Sequence, residues 1–143
     1  MQSLLERRCR KRAWYLLAVV GTVGAGLASR RFQGWLPAGL GKYPGDALWS
    51  LMVFFGLGTL FRRASSIQLS LGALGFSFGI EALKLCRAPW LASIRHTTLG
   101  HLVFGSVFSW QNLVVYAIGI GAGMIIEGLF AAPARTAGGH HPR

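Results

Sequence analysis

The sequence predicts an all-α membrane protein: a four-span transmembrane helical bundle with a short re-entrant or half-helix segment before the last span. Three observations carry that expectation. Of 143 residues, 52% are hydrophobic and only 13% charged, where soluble domains carry about a quarter charged. Apolar runs follow one another along the chain, near the length of about 20 residues that a spanning helix needs. The basic residues sit between those runs. A formal net charge of +11, from 15 Lys and Arg against 4 acids, would also suit nucleic acid, but such modules place their basic residues on a folded, mostly polar surface. No nucleic-acid partner is therefore expected.

The first run, "AWYLLAVVGTVGAGLA" at 13–28, follows the basic tail 1–12 and ends at Arg30 and Arg31. Those two can snorkel and lengthen the span. A basic stretch followed by an apolar one also fits a secretory signal. The further runs put the chain in a membrane on either reading, and a retained anchor is the one adopted. The second run, "ALWSLMVFFGLGTLF" at 47–61, follows "KYPGD". Asp46, placed after the Pro44–Gly45 turn, is expected to cap that helix. The third run spans 64–86 and carries Gly75 and Gly79. The fourth region, 99–132, is too long for one helix and is interrupted by "SWQN" at 109–112. Residues 99–108 are read as the re-entrant piece and 110–131 as the last span, with Gly119 and Gly123 in it. Non-helical backbone at membrane depth needs cover from protein or water. Both GxxxG pairs are expected to let helix backbones approach closely. The bundle thus occupies 13–132, and the Gly-, Ala- and His-rich tail 133–143 is expected to be disordered.

Basic residues orient the bundle. With the N-terminus inside, Arg7, Arg8, Arg10, Lys11, Arg12, Arg62, Arg63, Arg135 and Arg143 lie inside, against Arg30, Arg31, Lys42, Arg87 and Arg95 outside. Both termini are expected in the cytoplasm of a bacterial inner membrane. Cys9 and Cys86 then face opposite compartments and form no disulfide. His96 and His101 are five apart, which is not a one-face helical spacing, so no metal or other cofactor is expected.

An apolar segment that ends in "IEALKLCR" raises a specific question. A charge at the bilayer centre costs about 2.5–3.5 kcal/mol on insertion scales. Glu81 and Lys84 share a helix face at i, i+3, so a local ion pair is one reading. The other is a polar cluster shared between helices, because further polar residues reach the same outer level. Arg30, Arg31 and Asp46 arrive there from the first two spans. Glu81, Lys84 and Arg87 end the third. Arg95, His96, Thr97 and Thr98 follow in the loop, and Gln111 and Asn112 lie at the break. Arg30, Arg31, Asp46, Glu81, Lys84, Arg87, Arg95 and Asn112 are the candidate ligand-binding residues. Six positive side chains face two acids at that level, a surplus that favours anionic headgroups by charge and bidentate Arg contact.

The pieces "GLASR" at 26–30, "YPGDALWSLMVFF" at 43–55, "IEALKL" and "RAPWL" at 80–91, and "IRHTTLGHLVFGSVFSWQNLVVYAIGI" at 94–120 resemble a bacterial family of small integral membrane proteins catalogued as domain of unknown function 2809. The ordered set of Arg30, Gly45–Asp46, Glu81, Arg95, Gly100, Phe108 and Tyr116 carries the likeness. The family pattern usually has Gln at the position of Lys84 and Asp at that of Asn112. Each departure here adds one positive unit. The chain also looks like a distant relative of the VanZ-like membrane proteins, which are linked with glycopeptide-antibiotic resistance. That likeness implies a role in the cell envelope.

Three function classes follow. The first is a non-enzymatic binding or accessory protein with an outer-leaflet polar pocket for an anionic lipid or envelope-related amphiphile; its partners would be anionic membrane lipids, with room for a homo-oligomer. The second is a small oligomeric transporter or proton-coupled carrier using Glu81, although the chain shows no internal repeat of the kind carriers usually have. The third is an intramembrane enzyme. No nucleophile–base pair or metal set has the spacing for it, and the sequence is read as non-enzymatic.

Overall fold

The computed structural model describes residues 12–105 and 107–130. The tail 133–143, Cys9 and all of the basic tail except Arg12 lie outside the described residues. The described chain is all helical: α1 Arg12–Arg31, a 3₁₀ turn Gln33–Trp35, α2 Tyr43–Leu60, α3 Ser66–Leu83, α4 Pro89–Arg95, α5 Thr98–Phe104 and α6 Trp110–Phe130. Three helices, Ala13–Arg31, Ser66–Leu83 and Trp110–Phe130, are long and apolar enough to cross a membrane.

Local chemistry sets the helix ends. α3 opens on a capping box. The Ser65 N–H donates to Gln68 Oε1 at 2.9 Å, and the Gln68 N–H returns to Ser65 Oγ at 3.2 Å, so two otherwise orphaned donors are satisfied. α5 is capped by Thr97, whose Oγ1 accepts from the Gly100 N–H at 3.0 Å. It closes at Gly105, the described residue with positive φ, at 61°.

Asp46 does not cap α2, contrary to the expectation from sequence. The helix starts three residues earlier, at Tyr43, and Asp46 lies in its first turn. The reason is Pro44: its fixed φ and missing N–H suit a first helical turn, so the helix begins through the proline rather than after it. α3 ends at Leu83, short of the 86 that hydropathy suggests. The chain from Lys84 to Cys86 turns on successive bonds that reach back three residues, from the Lys84 N–H to Glu81 O and the Leu85 N–H to Ala82 O.

α2 packs against α1, α3 and α6, and α6 also packs against α3. α2 and α6 run parallel, with α1 and α3 antiparallel to both. The core between them holds Tyr15, Leu51, Phe54, Phe55, Leu69, Ala73 and Ile120. The pattern is inverted relative to a protein in water. Leu17, Val20, Leu71, Val114, Ile118, Ile125 and Leu129 are exposed, while Ser50, Ser70, Ser77, Glu81, Asn112 and Glu127 are buried. An apolar exterior around a partly polar interior is what a lipid solvent selects.

The two glycine pairs behave differently. A Cβ on Gly119 would lie 2.3 Å from the Ala47 carbonyl oxygen, and one on Gly123 would lie 2.7 Å from the Phe54 ring. These two permit the close α2–α6 contact. Gly75 and Gly79 meet nothing within 4 Å. They lie on the outer face of α3, away from the other described helices, so among the described residues the expected packing role falls to the α6 pair.

Candidate ligand-binding cavity

Glu81 organises one end of the bundle. Its side chain is fully buried at 0% exposure, and it accepts four hydrogen bonds. Lys84 Nζ donates to Oε2 at 2.5 Å, joined there by the Tyr116 hydroxyl at 3.2 Å. The Ser109 N–H donates to Oε1 at 2.7 Å, and Asn112 Nδ2 reaches the same oxygen at 3.4 Å. Both readings of "IEALKL" therefore hold at once. The i, i+3 ion pair forms, and the carboxylate also ties the end of α3 to the start of α6. Ser109 immediately precedes α6, whose first N–H groups lack intrahelical partners. An anionic group placed there also complements the helix dipole.

A cavity of about 380 Å³ opens beside this cluster. Its polar wall is made by Arg30, Asp46, Lys84, Asn112 and Tyr116, with Gln33, Lys42 and His101 toward the outside. Trp49, Leu102, Val103, Gly105 and Val107 complete the lining. Arg30 faces Asp46 at 3.8 Å and lies over Gly45, where a Cβ would stand 3.4 Å from its Nε. Trp49 is stacked on Phe76, with ring centroids 6.1 Å apart, and leans on Tyr116 at 5.5 Å. Tyr116 is thereby held toward Glu81. Gln111 accepts a hydrogen bond from the Tyr43 hydroxyl, which ties the start of α6 to that of α2. Asn112 is nearly buried, and its Oδ1 has no partner among the described residues.

Of the eight residues singled out from sequence, Arg30, Asp46, Lys84 and Asn112 line the cavity. Glu81 stands behind the wall and positions two of them. Arg31 and Arg87 are exposed and do not line it. Arg95 does something else: its guanidinium donates to the carbonyls of Leu83 at 2.5 Å and Cys86 at 3.2 Å, closing the end of α3. The charge surplus at the cavity is accordingly smaller than a count by level suggests. Arg30, Lys42 and Lys84 face Asp46 on the wall and Glu81 behind it.

Other contributors were not among the eight. Gln33, Lys42, Trp49, His101 and Tyr116 also line the cavity; Trp49 in an apolar run and His101 on α5 carry no special signal, and the donor from Ser109 is main chain. A second polar pair lies at the opposite end, where the Tyr15 hydroxyl donates to Glu127 Oε1 at 2.5 Å. Glu127 had a signal that could have found it, since an acid inside an apolar run is a functional or structural partner by default.

Membrane-length helices, an apolar exterior and a basic, aromatic-walled cavity at one end define a small helical protein of the membrane type. The chain belongs to the family described as protein of unknown function (DUF2809), whose model matches residues 35–120. That span holds α2 to α5 and the first half of α6, and with them Asp46, Glu81, Lys84, Asn112 and Tyr116; Arg30 lies just before it. No solved structure matches the chain.

Proposed function

We propose that the chain is a non-enzymatic binding protein of a bacterial inner membrane, whose outer-level cavity holds an anionic lipid headgroup or an envelope-related amphiphile. The observation that carries this reading is the cavity wall: three basic side chains, Arg30, Lys42 and Lys84, converge on one space with Asp46 as the acid among them. The volume suits a headgroup of ordinary ligand size. Carrier chemistry at Glu81 has less support, because its acceptor positions are filled by four donors and it does not face the cavity.

The same reading takes α1, α2, α3 and α6 as four spans. α1 ends beside the start of α2, and α3 starts at the other end of the bundle. α2 therefore connects the two ends, over about 27 Å at 1.5 Å per residue. The short α4 and α5 stay at the cavity end, with residues 99–108 as the re-entrant piece. Exposed Trp35, Trp90 and Trp110 at that end suit an aromatic belt at the headgroup level. With both termini cytoplasmic, an impermeant thiol reagent applied from outside should label cysteines placed at Lys42 or Ala92. It should spare those at Ala64 or Ala137. Labelling at 137 from outside would overturn the four-span topology.

Native mass spectrometry of the purified protein with mixed lipids tests the binding reading. One stoichiometric anionic lipid should be retained, and Arg30→Gln and Lys42→Gln should each lower its occupancy several-fold. Arg95→Gln should instead lower the melting temperature, since it removes the two bonds that close α3. Equal retention of anionic and zwitterionic lipids, insensitive to Arg30 and Lys42, would sink the proposal.

A further inference from the structure

The cavity lining is of two kinds. Gln33, Lys42 and His101 are polar and exposed. Val103 and Val107 form an apolar lip: they line the cavity and are also 41% and 68% exposed. Leu99, on α5, and Trp110, at the start of α6, are exposed apolar residues near them in sequence. The apolar lip is held in place by the fold. Gly105 lies between the two valines in sequence, and a Cβ there would stand 3.0 Å from Lys84 Cε. Its positive φ lets the chain turn tightly over the lysine, an approach that side chains rarely allow. Val103 and Val107 therefore stand two residues to either side of the glycine that packs on Lys84, itself a cavity-lining residue.

We infer that the cavity takes its ligand sideways from the outer leaflet. The anionic headgroup sits among Arg30, Lys42 and Lys84, and an apolar chain leaves across Val103 and Val107. The inference rests on the binding reading above and narrows it to a lipid-linked anion rather than a water-soluble one. An apolar rim continuous with a cation-lined interior matches the two halves of an amphiphile. Phosphatidylglycerol, with an anionic phosphate and two acyl chains, has this chemistry and serves as the probe.

The test uses the full chain with both native cysteines changed to serine and a bimane fluorophore at Val107→Cys, in phosphatidylcholine nanodiscs. Phosphatidylglycerol brominated on its acyl chains should quench the fluorophore severalfold more than brominated phosphatidylcholine at equal mole fraction. The excess should vanish when Arg30→Gln and Lys42→Gln are added. Soluble glycerol phosphate should not displace the brominated lipid at concentrations where unlabelled phosphatidylglycerol does. Equal quenching by the two lipids, while native mass spectrometry still shows an Arg30-dependent anionic lipid, overturns the lateral route and leaves the cavity reading standing. Displacement by glycerol phosphate as readily as by the lipid overturns the lipid-linked class. Absence of any retained anion overturns both readings.

Discussion

Glu81→Ala should destabilise the protein by about 3–5 kcal/mol, the usual cost of removing one partner from a buried ion pair. The substitution leaves Lys84, whose side chain is 6% exposed, without its counter-charge. It also strips an acceptor from the Ser109 N–H, Asn112 Nδ2 and the Tyr116 hydroxyl. Because Lys84 lines the cavity it can regain some hydration there, which puts the expected value toward the lower end. Glu81→Gln keeps an acceptor for the α6 donors and loses mainly the charge, for a cost of about 1–3 kcal/mol. The double variant Glu81→Ala, Lys84→Met separates the terms. Removing both charges leaves no uncompensated ion, so the pair should be less destabilised than the sum of the single changes. Denaturant titration in detergent, followed by circular dichroism, reads all three. Unchanged stability in both Glu81 single variants would mean a solvated local pair rather than a buried junction between α3 and α6.

How much of this cluster was legible follows from what a sequence encodes along a helix and what it does not. Height along the bundle is legible, since each residue advances a helix by about 1.5 Å and the ends of apolar runs mark the membrane faces. That is why Arg30, Asp46, Glu81, Lys84 and Asn112 could be placed at one level, and why the i, i+3 pair of Glu81 and Lys84 could be read directly. Rotation about the helix axis is less legible. Arg30 and Arg31 are neighbours at the same height, yet they lie about 100° apart around the helix; Arg30 lines the cavity and Arg31 is exposed. Arg95 has the right height, but α4 directs it to the end of α3 rather than into the cavity. Tyr116 sits a turn deeper than the break at 109–112. Its role depends on Trp49 from another helix, a relation that no local pattern records. The partnership of Tyr15 with Glu127 spans 112 positions in sequence, so only the fold brings it together.

Gly119→Ala should be the most damaging single-methyl change in the spans, while the same change at Gly75 should be harmless or mildly favourable. The reason is what each new carbon would touch. At Gly119 it would lie 2.1 Å from Ser50 Oγ and 2.3 Å from the Ala47 carbonyl oxygen. Ser50 is fully buried and its hydroxyl already donates to Ala47 O at 2.9 Å, so its side chain has little room to swing away. The carbonyl belongs to the α2 backbone and moves only with the helix. α2 and α6 must then separate by roughly an ångström at their closest approach. Overpacking of this kind costs about 1–3 kcal/mol, occasionally more, and the backbone contact puts Gly119→Ala at about 3 kcal/mol. At Gly75 the new methyl meets nothing within 4 Å, and replacing glycine inside a helix gains up to about 1 kcal/mol from propensity alone. The separation at Gly119 also carries to the cavity. Tyr116 is one turn away on α6 and packs on Trp49 of α2, so moving the helices apart loosens the wall that holds Tyr116 against Glu81. Gly119→Ala should therefore lose both melting temperature and lipid occupancy, whereas Gly75→Ala keeps both. If the two variants melt alike, α2 and α6 do not depend on backbone contact at Gly119, and the wall of the cavity must be held by the Glu81 junction alone.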